Sequence, residues 1–522
     1  MKHHNEKIQK LIEIVSEKIN GILRANIYEL SMKEDELKAL KEKKSDLRMA
    51  LKNCGIGDYG AKAFVKEIIK DILSMDLISP ENINEYINFD NPNELSSRDK
   101  FDILLYEYIK ENGSFAIEKI FKDFDWFKKT GDNQINEEDI FGAYLSSYIR
   151  LDFEDRLNIL VQRVYAGYKG LGVVDDIRDQ RIEGVSGGVS GKENTYNSVW
   201  IFFKGQTYHF AFLDFEHEKE LERVSLNIYR YGNPGQLSKA KGYIVNEMKD
   251  HSRVVVVRPP FAESFAFFVR KFDTIEQKNI EELIKDEDAN VVIDVLKWLI
   301  YGCQVCGITG SQGSGKTTLL MSLIGFIHPS YNLRIQEMSF ELNLRQVYPN
   351  RNILTFRETE HVSGQEGLDI QKKTDGSVNI LGEVASNPVA AWLVQMSQTG
   401  SLFTLFTHHA KTTDNLIKYM RNSLLACNIF NNEKIALEQV TEAINFDIHL
   451  EKDINGHRYI ERVTEIIPKD DEKGYEINDI VRFNGSKYEL VGNFSIRSVM
   501  SMTRFFDEEL REEFYEKYCV QL

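Results

Sequence analysis

The sequence predicts an α/β fold, with a largely parallel sheet in its C-terminal half, a smaller α+β region before it and a helical N-terminal stretch. Three observations predict it. Strand-like and helix-like segments alternate from residue 291 to about residue 450. A glycine-rich turn, Gly310–Thr317, joins an apolar strand to a helix. The chain changes character near Gly167, where glycines cluster at 170, 172, 184, 187, 188 and 191 and short strand-like runs follow.

At about 150 residues per domain, 522 residues suggest roughly three domains. The expected divisions are a helical extension over 1–165, an α+β domain over 166–275 and an α/β domain with a helical tail over 276–522. Hydrophobic residues make up 42% and charged residues 28%, enough apolar side chain to bury cores and too much for a disordered chain. The net charge of -16 argues against a general nucleic-acid binder, which needs a basic footprint. Five cysteines, at 54, 303, 306, 427 and 519, make no disulfide framework and fit a reducing compartment. Cys303 and Cys306 form one CxxC with no second pair and no paired histidines nearby, so the reading is core strand residues and not zinc. No signal-like apolar segment opens the chain, and no apolar run reaches the roughly 20 residues of a membrane span. The expectation is a protein that is soluble or attached to a membrane through a partner.

Taken in order, Ile8, Ile12, Val15, Ile19 and Ile22 recur at about 3.5-residue spacing and predict a helix. Leu37, Leu40, Leu47 and Leu51 predict a second. A coiled coil or docking arm and a hairpin packed on its own domain both remain open. Residues 55–165 read as mostly helical. Strands are predicted at Ser198–Phe203, Tyr208–Leu213, Arg253–Val257 and Phe265–Phe272, then a helix at Val291–Tyr301 and a strand at Gln304–Thr309. The tail predicts strands at Tyr459–Ile467 and Ile480–Phe483 and a helix at Arg504–Tyr518.

The run Gly310, Ser311, Gln312, Gly313, Ser314, Gly315, Lys316, Thr317 satisfies GxxxxGK[ST], with Thr318 behind it. Its glycines let successive N–H groups face a phosphate, and the following helix adds its positive end. Lys316 is expected to reach the β- and γ-phosphates of ATP, and the Thr317 hydroxyl to bind Mg²⁺. Glu383 ends the short, mostly apolar run Val378–Glu383 and is a second candidate for Mg²⁺, or for polarising the attacking water. Glu337 and Glu341 follow a strand-like run; one of them can orient water, or both are solvated. In Thr404–Ala410, either His408 or His409 can contact a phosphate.

In this order the pieces resemble the type II/type IV secretion ATPases, most closely the CpaF-like, tight-adherence pilus branch. The resemblance covers roughly 165–505. It begins at Gly170–Gly172 and Asp175–Ile177 and continues through Val257–Pro260 and Phe268–Phe272, which is similar to an "IRKF" signature. Glu337–Leu344 resembles the family's acidic box, with Glu341 as its catalytic carboxylate. Leu381–Val384 resembles an atypical Walker B, GEV. Thr399–Leu402 followed by Thr407–Ala410 resembles its His box, with His408 favoured by spacing.

The resemblance implies a P-loop NTPase (RecA-like) C-terminal domain and a hexameric ring with ATP between subunits. It implies phosphate-reaching roles for Arg270 and Arg357, for which a surface salt bridge is the other reading. It also implies an integral-membrane platform partner of a pilus or secretion system, and a cytoplasmic position at the inner face of the membrane through that partner, with no direct nucleic acid. The chain departs from the pattern at Met338, at Ala385, and at Gly376 and Ser377, where the family has Asp, Arg and Pro-Asp. A nucleotide-binding assembly or regulatory subunit and a DNA-transfer motor are the alternative functions.

Overall fold

The computed structural model describes residues 2–24, 34–128, 133–190, 194–272, 279–338, 340–359, 362–398, 400–453 and 456–518. The chain divides into two units, Met1–Thr274 and Ile275–Leu522, each built on its own cores. No helix among the described residues is long and apolar enough to cross a membrane.

In the first unit, helices Lys2–Arg24 and Glu34–Asn53 form as their periodicity predicts. The buried stripe of the first is Ile8, Leu11, Val15 and Ile19, whereas Ile22 is exposed. That stripe shares one core with helices Tyr59–Asp76 and Phe153–Tyr168, so the first helix is packed into its own unit. The side chains of Leu37 and Leu40 lie outside the described residues, as do Gly191 and Cys519.

A seven-stranded sheet completes this unit: β1 (Gln134–Ile135), β2 (Gly184–Gly187), β3 (Val199–Phe203), β4 (Gln206–Phe210), β5 (Tyr243–Glu247), β6 (Arg253–Val257) and β7 (Ala266–Arg270). Its order is β1-β4-β3-β2-β7-β6-β5, antiparallel except for β1 beside β4. The strand predicted at Tyr208–Leu213 ends earlier, because the chain turns where the N–H of Leu213 reaches the carbonyl of Phe210 at 3.0 Å. Asp175 and its neighbours are a structural tie: the Lys62 ammonium binds Asp175, Asp176 at 2.8 Å and Asp179 at 2.7 Å. Desolvation of Lys62 is outweighed by the three carboxylates, so its charge is retained.

The second unit holds a nine-stranded sheet: β8 (Cys306–Gly310), β9 (Leu333–Glu337), β10 (Ile353–Arg357), β11 (Val378–Leu381), β12 (Phe403–His408), β13 (Phe446–Lys452), β14 (Arg458–Pro468), β15 (Tyr475–Phe483) and β16 (Tyr488–Leu490). The order is β10-β9-β11-β12-β8-β13-β14-β15-β16. The first six are mutually parallel and the last three antiparallel. β8, β9, β11 and β12 are buried along their whole length; β8, β11 and β12 are mostly apolar, whereas β9 buries Arg334, Gln336 and Glu337. Crossover helices, among them Lys316–Ile324, Asn387–Ser397 and Thr413–Ala426, cover the sheet. This is an α/β, RecA-like P-loop architecture.

Cys306 opens β8 and Cys303 lies in the turn before it, both buried as free thiols. Burial pushes the Cys303 thiol up to about 11. The tail forms its predicted strands, and its last helix runs Glu508–Tyr518.

Candidate functional site

In a parallel sheet every strand ends on the same side, so the loops after β8, β9, β11 and β12 share one rim. The loop after β8 is Gly310–Thr317. Gly310 (φ +139°), Gly313 (φ +77°) and Gly315 (φ +99°) all adopt backbone angles that L side chains disfavour. A Cβ on Gly310 would lie 2.2 Å from the carbonyl oxygen of Leu450, so only glycine lets the loop start this close to β13. Ser314 is fully buried, and its Oγ has no hydrogen-bond partner among the described residues. Such an orphaned hydroxyl, in a loop whose glycines turn the backbone, fits a ligand rich in acceptor oxygens. Ser311, Gln312 and Gly313 are exposed, and Thr317 and Thr318 are half-buried.

Lys316 is buried and turned onto its own loop. Its Nζ donates to the carbonyls of Gly310 at 2.9 Å and Ser311 at 2.7 Å, and lies 3.2 Å from Nδ1 of His409. Burial lowers its pKa to about 8, against an upward pull from Glu383. The other ring nitrogen of His409, Nε2, lies 3.2 Å from Oε1 of Glu383. An ammonium only donates, so Nδ1 accepts and Nε2–H faces the carboxylate. The loops after β8, β11 and β12 therefore meet in one chain: Lys316, His409, Glu383.

The sequence favoured His408, and the structure brings His409 to this chain instead. His408 ends β12 with its side chain inward, at 4.4 Å from the Tyr419 ring, and its Nδ1 lies 2.9 Å from the Val384 carbonyl. Burial lowers its pKa, which keeps the ring neutral. On the adjoining residues, Thr407 Oγ1 donates to Gly382 O at 2.5 Å and Val384 N–H donates to Thr407 O at 2.9 Å. Glu383 is thus pinned on both sides by β12, and His408 is one of the pins.

Glu337 and Glu341 are not two equivalent solvated carboxylates. Glu337 is buried, and its Oε1 accepts from the backbone N–H of Glu341 at 3.0 Å and Leu342 at 2.8 Å. Burial outweighs those bonds and raises its pKa to about 8. It shapes the turn that carries Glu341, which is half-buried. Glu337 also crowds Gly382: a Cβ there would lie 3.1 Å from Glu337 Cγ, tighter than ordinary contact. Met338 and Ala385 are exposed.

Arg357 ends β10, four strand positions from β8 and so about 19 Å away across the sheet. Its guanidinium lies 4.9 Å from the Phe340 ring. It is not beside the P-loop of its own chain. Arg270 ends β7 in the first unit and is exposed. Thr399, the first residue of the expected His box, lies outside the described residues.

No curated protein matches the chain. Among solved structures it is similar to the VirB11 ATPase of the Brucella suis type IV secretion system in complex with sulphate. That likeness has 17% identity, covers 55% of this chain and 89% of that one, and has a TM-score of 0.30. It is also similar to the Legionella pneumophila ATPase DotB, at 16% identity over 64% of this chain and 80% of that one, with a TM-score of 0.37. A third is the pilus retraction motor PilT with bound ADP, at 14% identity over 65% of this chain and 86% of that one, with a TM-score of 0.38. Residues 261–441, which carry the P-loop, Glu341, Glu383 and both histidines, match the family described as type II/IV secretion system protein.

Proposed function

We propose that this chain is an Mg²⁺-dependent ATPase, acting as a hexameric motor that powers pilus assembly or retraction, or protein secretion, through a membrane platform. The observation that carries the ATPase reading is the chain from Lys316 through His409 to Glu383. The two loop carbonyls and the imidazole hold the Lys316 ammonium where an anionic phosphate can take over its donors. Thr317 and Glu383 are the residues that would hold Mg²⁺, which supplies charge neutralisation at the phosphates. Glu341 is the carboxylate to orient or deprotonate the attacking water, and His409 carries a change at the phosphate to Glu383. Arg357, at a sheet edge, suits a site completed by a neighbouring copy, and Arg270 has the same assignment from the α+β domain at 166–275. The motor role rests on the family match over 261–441. It implies a cytoplasmic protein held at the membrane by its platform. The exposed Met338 and Ala385 take away an acid and a base of the family pattern, which favours slow turnover.

The test is phosphate release by the purified protein. Lys316→Ala is expected to abolish it. Glu383→Gln is expected to retain ATP binding and lose turnover by about 10²-fold or more. Wild-type turnover in Lys316→Ala would remove the proposal.

A further inference from the structure

Behind the P-loop, β13 and β14 bring together three ligand-type side chains that the nucleotide site does not use. Their donor atoms, one each from His449, Glu451 and Glu461, all lie within 4.8 Å of one another. His449 Nε2 is 3.2 Å from Glu451 Oε1 and 3.9 Å from Glu461 Oε2. His449 and Glu451 share a face by strand periodicity. Glu461 joins them through a β-bulge: the pairing shifts from His449↔Arg462 to Leu450↔Ile460, and Glu461 is the extra residue.

The second observation lies outside the trio. Asp447, fully buried, accepts from the hydroxyls of Thr309 at 2.6 Å and Thr413 at 2.7 Å. Thr309 has one proton and spends it there. Its oxygen, 2.7 Å from His449 Nδ1, is then the acceptor for Nδ1–H. This leaves Nε2 of a 1% exposed histidine facing two carboxylates, a donor set into which a cation fits. Carboxylate-linked fixation of the far ring nitrogen is the usual support of a metal-bound histidine. Arg462 Nη1 pairs with Glu461 Oε2, the oxygen that faces His449, and its Nη2 lies 3.7 Å from Asp447.

We propose that His449, Glu451 and Glu461 bind a first-row divalent transition cation, with Zn²⁺ as the fitting case. Bonds of about 2.0 Å in a tetrahedral site put ligand atoms about 3.3 Å apart, which matches the 3.2 Å from His449 Nε2 to Glu451 Oε1, requires Glu461 to close in from 3.9 Å, and leaves a fourth position open to water. The role is structural. The cation clamps β13 to β14, and β13 is the wall against which Gly310 starts the P-loop.

The test uses untagged full-length protein, stripped with chelator and dialysed against Zn²⁺. Elemental analysis should find one more equivalent bound to wild type than to Glu451→Gln/Glu461→Gln, whose two side chains are partly exposed and whose circular dichroism checks the fold. His449→Ala should lose the same equivalent. Zn²⁺ should raise the melting temperature of wild type by several degrees more than that of the double variant. Equal Zn²⁺ in the wild type and the double variant, or none in wild type, overturns the proposal. So does a stabilisation given by Mg²⁺ and not by Zn²⁺, since imidazole is a poor ligand for Mg²⁺.

Discussion

His409 Nε2 lies 3.2 Å from Glu383 Oε1, and this contact ties the end of β12 to the end of β11 beside the P-loop lysine. Its neighbour His408 does different work, holding the Val384 carbonyl and through it the backbone of Glu383. The two histidines should therefore separate in a kinetic experiment. His409→Ala is expected to lower kcat for ATP by about 10²-fold with the fold intact. His408→Ala removes a buried packing side chain, so it should lower the melting temperature as well as kcat. Phosphate release and thermal melts on both variants check this. Equal kcat for His409→Ala and wild type would leave the contact without a catalytic role.

Glu337 gives the protein a pH signature. Its carboxyl has a folded pKa of about 8 against an ordinary 4.5, because burial disfavours the anion. The folded state then binds more protons than the unfolded state between those values. Its contribution to stability is fully present below about pH 4.5 and is lost as pH rises towards 8. Glu337→Gln keeps an oxygen acceptor for the N–H groups of Glu341 and Leu342 and does not titrate. Denaturant midpoints measured from pH 5 to 9 should fall more steeply for wild type than for this variant. Parallel curves would show that Glu337 titrates normally.

The P-loop was legible because its chemistry is local: eight consecutive residues carry the glycines, the lysine and the helix start. The parallel sheet was legible from mostly apolar runs at β8, β11 and β12, which are buried on both faces. Non-local facts were not legible. Which of two adjacent histidines faces the loop depends on where β12 stops, and residue spacing does not fix that. Gly382 is crowded by Glu337 from a neighbouring strand 45 residues away in sequence (382 against 337). The trio His449, Glu451 and Glu461 needs a bulge, which no alternation pattern announces. The first helix read equally as a free arm or a packed hairpin, and its partners Tyr59–Asp76 and Phe153–Tyr168 decide between them.

Introducing an acid at Gly382 should harm the protein. Gly382→Asp would put a Cβ 3.1 Å from Glu337 Cγ and a second carboxylate beside a buried one. A loss of roughly 1–3 kcal/mol is expected from the overpacking, measured by urea unfolding. Glu337→Ala in the same chain should recover part of it, so the two changes should be non-additive. An additive pair would mean that the two positions do not compete for space.

The C-terminal helix is held by aromatic packing, and this can be measured at one residue. Phe514 is fully buried, with ring centroids 5.3 Å from Trp298, 5.4 Å from Phe506, 5.7 Å from Phe494 and 5.3 Å from Tyr518. Trp298 belongs to helix Ala289–Tyr301, which leads directly into β8 and the P-loop. Losing Phe514 therefore opens a cavity against the helix that feeds the nucleotide loop. Phe514→Ala is expected to cost about 3–5 kcal/mol of stability. The exposed neighbour Glu513→Ala should stay within about 0.5 kcal/mol of wild type. Urea midpoints for the two variants give the comparison. If they coincide, the last helix is not part of the core that carries the site.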